Sequence, residues 1–346
     1  MSTAAGREAF SCGQLETSGH VMILSRRKIF HIVAGAAAMG SLPVAAEAEG
    51  YPARPVRIFV GFAPGGGQDR LARLIGLALS ERLGQQFIVE NRPGAGTNLA
   101  TESVARAPAD GYTLLLVGPQ NAINATLYAK LNFDFLRDFA PIASISREAN
   151  LMVVHPAVKA KTVPELIGYA KANPDKINMA SAGIGSAGHV AGELFEMMTG
   201  TAFVHVPYHG LAPALTDLMG GRTDICFANL SGALGFVRGG KLRALAVTTA
   251  KRSDVLPDVP AVDEFVSGYE ASSLFGLAAP RNTPAQVIAK LNSAINAALD
   301  EPKIKTKLAE EGASVLTGSS GEFGKQLADE TAKWGKVIAF AKIKPQ

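Results

Sequence analysis

The residues best suited to chemistry in this chain lie in two glycine-rich turns. The first, Ala63-Pro64-Gly65-Gly66-Gly67-Gln68-Asp69, follows the alternating apolar positions Val56, Ile58, Val60 and Phe62. It precedes Leu71, Leu74, Ile75, Ala78, Leu79 and Leu83, which share one helical face. A strand therefore gives way to a helix across three glycines, which let the backbone approach a guest closely and leave the first helical N–H groups unblocked. Such a helix start attracts anions. A nucleotide phosphate loop needs Gly-Lys-Ser/Thr, whereas Gly66 is followed by Gly67-Gln68. A small carboxylate suits the same backbone donors, and the alternative is a tight turn that binds nothing. Asp69 either favours the helix start or meets an amine on a ligand, the helix-end role being the expected one.

The second turn, Ser181-Ala182-Gly183-Ile184-Gly185-Ser186-Ala187-Gly188-His189, also joins a short strand to an amphipathic helix, marked by Val190, Leu194, Phe195 and Met198. It matches Gly-x-Gly-x-x-Gly at Gly183, Gly185 and Gly188. The next strand, Ala202 to Val206, ends in Pro207-Tyr208 with no acid for a ribose hydroxyl, which argues against a dinucleotide. A serine hydrolase elbow fails as well, because Ile184 and not glycine stands two residues before Ser186. Ser186 and His189 are either polar contacts to a ligand or an N-cap and a solvated helix residue. His189, His205 and His209 lack metal-ligand spacing with cysteines or paired carboxylates, so no metal site and no cofactor are expected.

The elements that must position these turns read as α/β architecture from Tyr51 onward, with short apolar strands alternating with helical patterns. Phe87 to Glu90, Tyr112 to Val117, Leu151 to Val154, Ile177 to Ala180, Asp224 to Phe227, Ala244 to Thr248 and Ser273 to Ala279 are the expected strands. Thr162-Val163-Pro164-Glu165 is a capping box with proline at the first helical position. Thr283-Pro284-Ala285-Gln286 caps a further helix, and the helices Pro302 to Glu311 and Glu322 to Ala341 read as a peripheral cover. Loops at strand C-terminal ends, such as Gly118-Pro119-Gln120-Asn121, are where open α/β sheets bind ligands.

A chain of 346 residues has room for two domains with cores of their own, and 47% hydrophobic with 18% charged residues is a globular composition. Residues 1–48 hold four Lys/Arg and three Asp/Glu, which leaves 30 minus 27, or +3, for the rest; nucleic acid is not an expected partner. Ser25-Arg26-Arg27-Lys28, the apolar run Ile29 to Val44 and Ala46-Glu47-Ala48 read as an export signal cleaved after Ala48, by the twin-arginine or the general route. Translation starting at Met22 fits the polar character of residues 1–21. Cleavage leaves Cys226 alone, so the mature chain forms no internal disulfide, and Cys226 reads as a buried small hydrophobe.

Six blocks then occur in order: Tyr51-Pro52 with Pro55-Val56-Arg57; Pro64-Gly65-Gly66-Gly67 with Asp69; Glu90 to Gly96; Asp110 to Leu114; Val206-Pro207-Tyr208 with Gly210; and Gly240 to Thr248. Together they closely resemble the Bug proteins, the extracytoplasmic solute receptors of tripartite tricarboxylate transporters, over the chain from Tyr51 to its C-terminus. The resemblance implies a periplasmic binding protein of type II, with two α/β lobes, each a central sheet flanked by helices, joined by two crossing strands at Leu151 to Val154 and Leu274 to Ala279. It implies lobe 1 from residues 50–150 plus 275–346, and lobe 2 from 151–274. The two turns would face each other across the cleft and grip a carboxylated solute, which makes Ser186 a ligand contact.

The resulting expectation is a non-enzymatic, monomeric periplasmic receptor that closes on a small mono- to tricarboxylate and presents it to integral-membrane permease subunits. Its binding residues would be Pro64, Gly65, Gly66, Gly67, Gln68, Asp69, Gln120, Gly185, Ser186, His189, Tyr208 and Asn229. Three positions depart from the family pattern: Ala228 where an aspartate is usual, Asn121 where a histidine is common, and Leu274 where a tryptophan is common. They bear on which ligand is accepted. The rival readings are an exported hydrolase using Ser186 and His189, and an orphan binding protein that serves a sensor.

Overall fold

The computed structural model describes residues 50–345, so the expected export signal and the Met22 start lie outside the described residues. The chain opens with β1 (Val56–Val60), α1 (Gly67–Leu83), β2 (Phe87–Asn91), α2 (Asn98–Ala105), β3 (Thr113–Val117), α3 (Pro119–Leu127) and β4 (Phe139–Glu148). It continues through β5 (Asn150–Val154), α4 (Val163–Ala172), β6 (Asn178–Ser181), α5 (Ala187–Thr199), β7 (Val204–Pro207), α6 (Leu211–Met219), β8 (Ile225–Asn229), α7 (Leu230–Arg238) and β9 (Arg243–Val247). It ends with β10 (Ser273–Pro280), α8 (Ala285–Leu299), α9 (Pro302–Glu310), β11 (Ala313–Val315) and α10 (Ser320–Ala341).

The strands form two sheets. The first has the order β11-β4-β10-β3-β1-β2, the second β7-β6-β8-β5-β9. In the first, β1 lies between β2 and β3 and runs parallel to both, while β10 is antiparallel to β3 and β4. In the second, β6 is parallel to β7 and β8, and β5 is antiparallel to β8 and β9. Every residue of β3 and β5 is buried, as continuous apolar strands require when helices cover both faces of a sheet.

Alternation along these strands sorts the core. Leu114 and Leu116 join Ile58, Ile75, Leu79 and the Leu291 face of α8 on one side of the first sheet. Leu115 and Val117 face the other way, into a core that runs on to Met152, Phe195 and Phe227 of the second sheet. Leu151, Val153 and Cys226 point to the outer face of that sheet, against α6 and α7. Cys226 is fully buried, and that burial pushes its thiol up to about 12, so it packs as a small hydrophobe.

The links between the sheets are shorter than the strands assigned to them from sequence. Leu151 to Val154 lies wholly within the second sheet and Leu274 to Ala279 within the first, so the chain crosses at Ala149 and, returning, just ahead of Ser273. The two passages are clasped by buried polar groups: Asn150 Nδ2 donates to the Ala271 carbonyl (2.9 Å) and Thr248 Oγ1 accepts from Asn150 N (3.0 Å). The final helix corrects another expectation. Instead of covering the periphery, α10 buries Phe323 and Trp334 in the shared core and packs on both α3 and α5.

Because Trp334 fills the core common to both sheets, Trp334→Ala is expected to cost about 3–5 kcal/mol in urea unfolding. A loss below about 1 kcal/mol would assign α10 a surface role after all.

Candidate functional site

The C-terminal ends of the parallel strands in both sheets open toward one cavity of about 610 Å³. Consequently the helices that follow those strands begin there. Gly66 and Gly67 at the start of α1, Pro119 and Gln120 of α3, Ser186 to Gly188 of α5, Gly210 and Leu211 of α6, and Asn229 and Ser231 of α7 all line it. Five helix N-termini thus carry positive partial charge and bare N–H groups to one place.

The first turn is shaped by Gly65, whose φ of 87° lies in the left-handed region, and by Gly66, the N-cap of α1, which has no side chain to occupy the helical N–H groups. Asp69 closes the turn from below. Its Oδ2 accepts from Gly65 N (2.9 Å) and from Arg73 Nε (2.9 Å), and Arg73 holds the carboxyl down at about 2. Asp69 is therefore spoken for by the helix start, and Gly65 N–H is not available to a guest. Gln68 Nε2 reaches Gln120 Oε1 (3.4 Å), tying the first turn to the start of α3.

The second turn rests on a pair of imidazoles. His189 Nδ1 accepts from Gly185 N (3.0 Å), its Nε2 lies 3.2 Å from Glu193, and its ring stacks on that of His205 at 3.6 Å. His205 Nε2 meets Ser181 Oγ at 2.7 Å, and Ser181 Oγ also accepts from Gly183 N (3.1 Å). His189, expected from sequence to be solvated or to touch ligand, is instead buried at 3% exposure as a strut beneath the turn. Ser186 caps α5, its Oγ accepting from His189 N (3.3 Å), while still facing the cavity. A nucleophile–base relation between Ser186 and His189 is absent, because the imidazole nitrogens are directed to Gly185 and Glu193. Gly188 permits close packing rather than a pyrophosphate: a Cβ there would sit 2.1 Å from the Phe227 carbonyl oxygen.

Of the residues named from sequence, Gly66, Gly67, Gln68, Gln120, Gly185, Ser186 and Asn229 line the cavity. Pro64, Gly65, Asp69, His189 and Tyr208 are not part of its wall; the Tyr208 hydroxyl donates to Asp217 Oδ2 (2.9 Å) on α6. The three departures from the family pattern also lie off the wall. Asn121 caps α3 by accepting from Gly118 N (2.8 Å), and Ala228 and Leu274 are in the core. Sequence reasoning missed Glu148, Ser231, Ser273 and Phe275, which form the floor where the chain crosses between sheets. The Ser231 hydroxyl donates to Glu148 Oε1 (3.0 Å), and burial pushes the Glu148 carboxyl up to about 7.

Comparison with known proteins agrees with this geometry. The profile of the family described as "TctC: Tripartite tricarboxylate transporter family receptor" matches residues 71–343. Protein BugT of Bordetella pertussis is 36% identical over 315 residues, covering 90% of this chain and 94% of the relative. The solved structure of R. palustris Rpa4515 with adipate is similar at a TM-score of 0.76 and 39% identity, covering 86% of this chain and 100% of that one. MatC from Rhodopseudomonas palustris with bound malate is similar at 0.72 and 32%, covering 83% and 100%.

The stacked imidazole pair, His189 buried and His205 partly so, makes stability pH-dependent. Burial, with the adjacent His189 ring, lowers His205 from 6.5 to about 3, so below 6.5 the unfolded chain takes up a proton that the folded chain refuses. Stability is expected to fall as pH drops from 6.5 toward 3, and His205→Gln should flatten that fall in urea midpoints measured against pH. An unchanged slope would show that His205 is not the group responsible.

Proposed function

The chain belongs to the tripartite tricarboxylate transporter receptor family, a family of solute receptors and not of enzymes, and we propose that it captures a small carboxylate in the cavity between its two sheets and delivers it to a membrane permease. The observation that carries this reading is the convergence of five helix N-termini on one cavity. A carboxylate placed there meets backbone N–H groups already oriented toward it, and each helix start adds about 0.3–1 kcal/mol or more as water is excluded. Relatives solved with adipate and malate supply the chemical precedent.

The residues proposed to hold the carboxylate are Gly66, Gly67 and Gln68 on one side and Ser186, Ala187 and Gly188 on the other, with Gln120 and Asn229 for the remaining polar contacts; the Gly185 N–H is already given to His189. The lobes are proposed to be residues 50–150 plus 275–346 and residues 151–274, hinged at Ala149 and the segment before Ser273. Ligand that contacts both turns binds the closed arrangement better than the open one and so shifts the population toward it. The permease would then read the closed form. Periplasmic residence follows from this role, with residues 1–48 as the export signal and a monomer as the working unit.

A thermal-shift screen of mono-, di- and tricarboxylates should find at least one that raises the melting temperature. Gly66→Val tests the site cleanly: Gly66 has an ordinary φ of −73° and nothing nearer than the Ala63 carbonyl oxygen at 3.7 Å, so the fold should persist while the shift disappears. Gly185→Val is a poorer test, because its φ is 72° and its Cβ would meet Leu127 at 2.6 Å. Retained binding by a folded Gly66→Val protein would remove the first turn from the site.

A further inference from the structure

The floor of the cavity differs chemically from its rim. Where the rim offers N–H donors, the floor carries a carboxyl, Glu148 at the end of β4, and a serine, Ser273 at the start of β10. The two are direct cross-strand partners in the first sheet, and Ser273 is 1% exposed with no hydrogen-bond partner for its Oγ among the described residues. A buried hydroxyl without a partner destabilises the fold, a cost removed when a ligand group meets it. Glu148 takes the Ser231 hydroxyl at Oε1 (3.0 Å) and has the Asn229 side chain as a second hydrogen-bonding neighbour, both of them neutral. Among the described residues it forms no ion pair: the nearby Arg70 of α1 gives its Nε and Nη2 to Glu311 (2.9 and 2.7 Å) and its Nη1 to the Gly65 carbonyl (3.0 Å).

We infer that Glu148 and Ser273 form a second pole of the cavity, which recognises a hydrogen-bond donor, an ammonium or a hydroxyl, at the end of the ligand remote from its carboxylate. This rests on the carboxylate-receptor reading above and adds the chemistry of the other end. The surroundings favour a donor over a second carboxylate. Glu311, just beyond α9, faces Glu148 with a like charge, and Arg70, which offsets it, is already paired. The adjoining cavity that shares Glu148 is also lined by Arg73 of α1, which is paired with Asp69, and by Lys307 and Glu310 of α9, one charge of each sign. Arg147, the preceding residue, binds Glu270 and Glu330 and does not supply a counter-charge. Asn229 at the end of β8 and Ser231 of α7 are the remaining groups near the carboxyl, and both are neutral. A carboxylate placed beside Glu148 would meet repulsion from it and from Glu311, with Lys307 of the adjoining cavity as the cation left to oppose them. An ammonium would neutralise Glu148, and a hydroxyl could donate to it while accepting from Ser273.

The protonation of Glu148 sets the direction of the pH effect. Burial, reinforced by Glu311, raises it to about 7, so it is increasingly ionised, and a better acceptor, as pH rises through that value. Donor-bearing ligands should therefore bind more tightly on the alkaline side.

Isothermal titration of the purified protein with butyrate, γ-hydroxybutyrate, γ-aminobutyrate and succinate, and with their six-carbon counterparts hexanoate, ε-hydroxyhexanoate, ε-aminohexanoate and adipate, tests this. At one chain length or both, an amino or hydroxy acid should bind about tenfold or more tightly than the plain alkanoate. That margin should grow from about pH 6 to about pH 8, on either side of the Glu148 value of about 7. The amino and hydroxy arms decide which donor is preferred. Glu148→Gln should erase the margin and its pH dependence, and Glu148→Asp and Ser273→Ala should each keep part of it. The inference is overturned if succinate or adipate binds best and improves in acid, or if the margin survives in a folded Glu148→Gln protein. If none of the eight acids binds, this inference fails, while the carboxylate-receptor reading stands or falls separately with the wider thermal-shift screen.

Discussion

Unpaired backbone N–H groups at helix starts are the interaction on which this molecule depends. A helix leaves its first N–H groups without intrahelical partners, and here five helices begin at the rim of one cavity. That arrangement follows from topology. In a parallel strand–helix unit the helix begins at the strand's C-terminal end, so two sheets whose parallel strands end toward each other must gather helix starts between them. No lysine is needed to make the cavity attractive to an anion. Arg70, the cation at its wall, is held by Glu311 and the Gly65 carbonyl.

Holding N–H groups open in a folded protein requires that nearby acceptors be kept away from them, and each turn does this differently. In the first, Asp69 is a potential competitor four residues after Gly65. Arg73 and Gly65 N hold its carboxylate underneath the turn. In the second, His189 takes up Gly185 N–H, and the His189–His205 stack fixes the shape of the backbone from below. The polar residues beside the glycines thus act on the turn more than on the guest.

What could be read from sequence was what local periodicity encodes. The switch from a two-residue to a helical period across Gly65 to Gly67 located the β1–α1 turn, and the same reasoning located the β6–α5 turn. The role of α10 was hidden because an amphipathic helix looks alike whether it covers one surface or bridges two; only the packing of Phe323 and Trp334 distinguishes them. Strand β4 escaped notice because Pro141, Ser144 and Ser146 interrupt its apolar run. Helix α7 was lost among its glycines. Those two omissions concealed the cavity floor, since Glu148 and Ser231 sit at the end of one and the start of the other. Ser273 and Glu148 are far apart in the chain, and only strand pairing makes them neighbours.

Amide chemical shifts in a 15N-labelled sample, followed while a binding carboxylate is added, test the central claim most directly. The account predicts that the amides of Gly67, Gln68, Ala187 and Gly188 shift together and saturate together, because one anion engages both helix starts. Saturable shifts confined to one turn, or to residues outside the cavity, would contradict it.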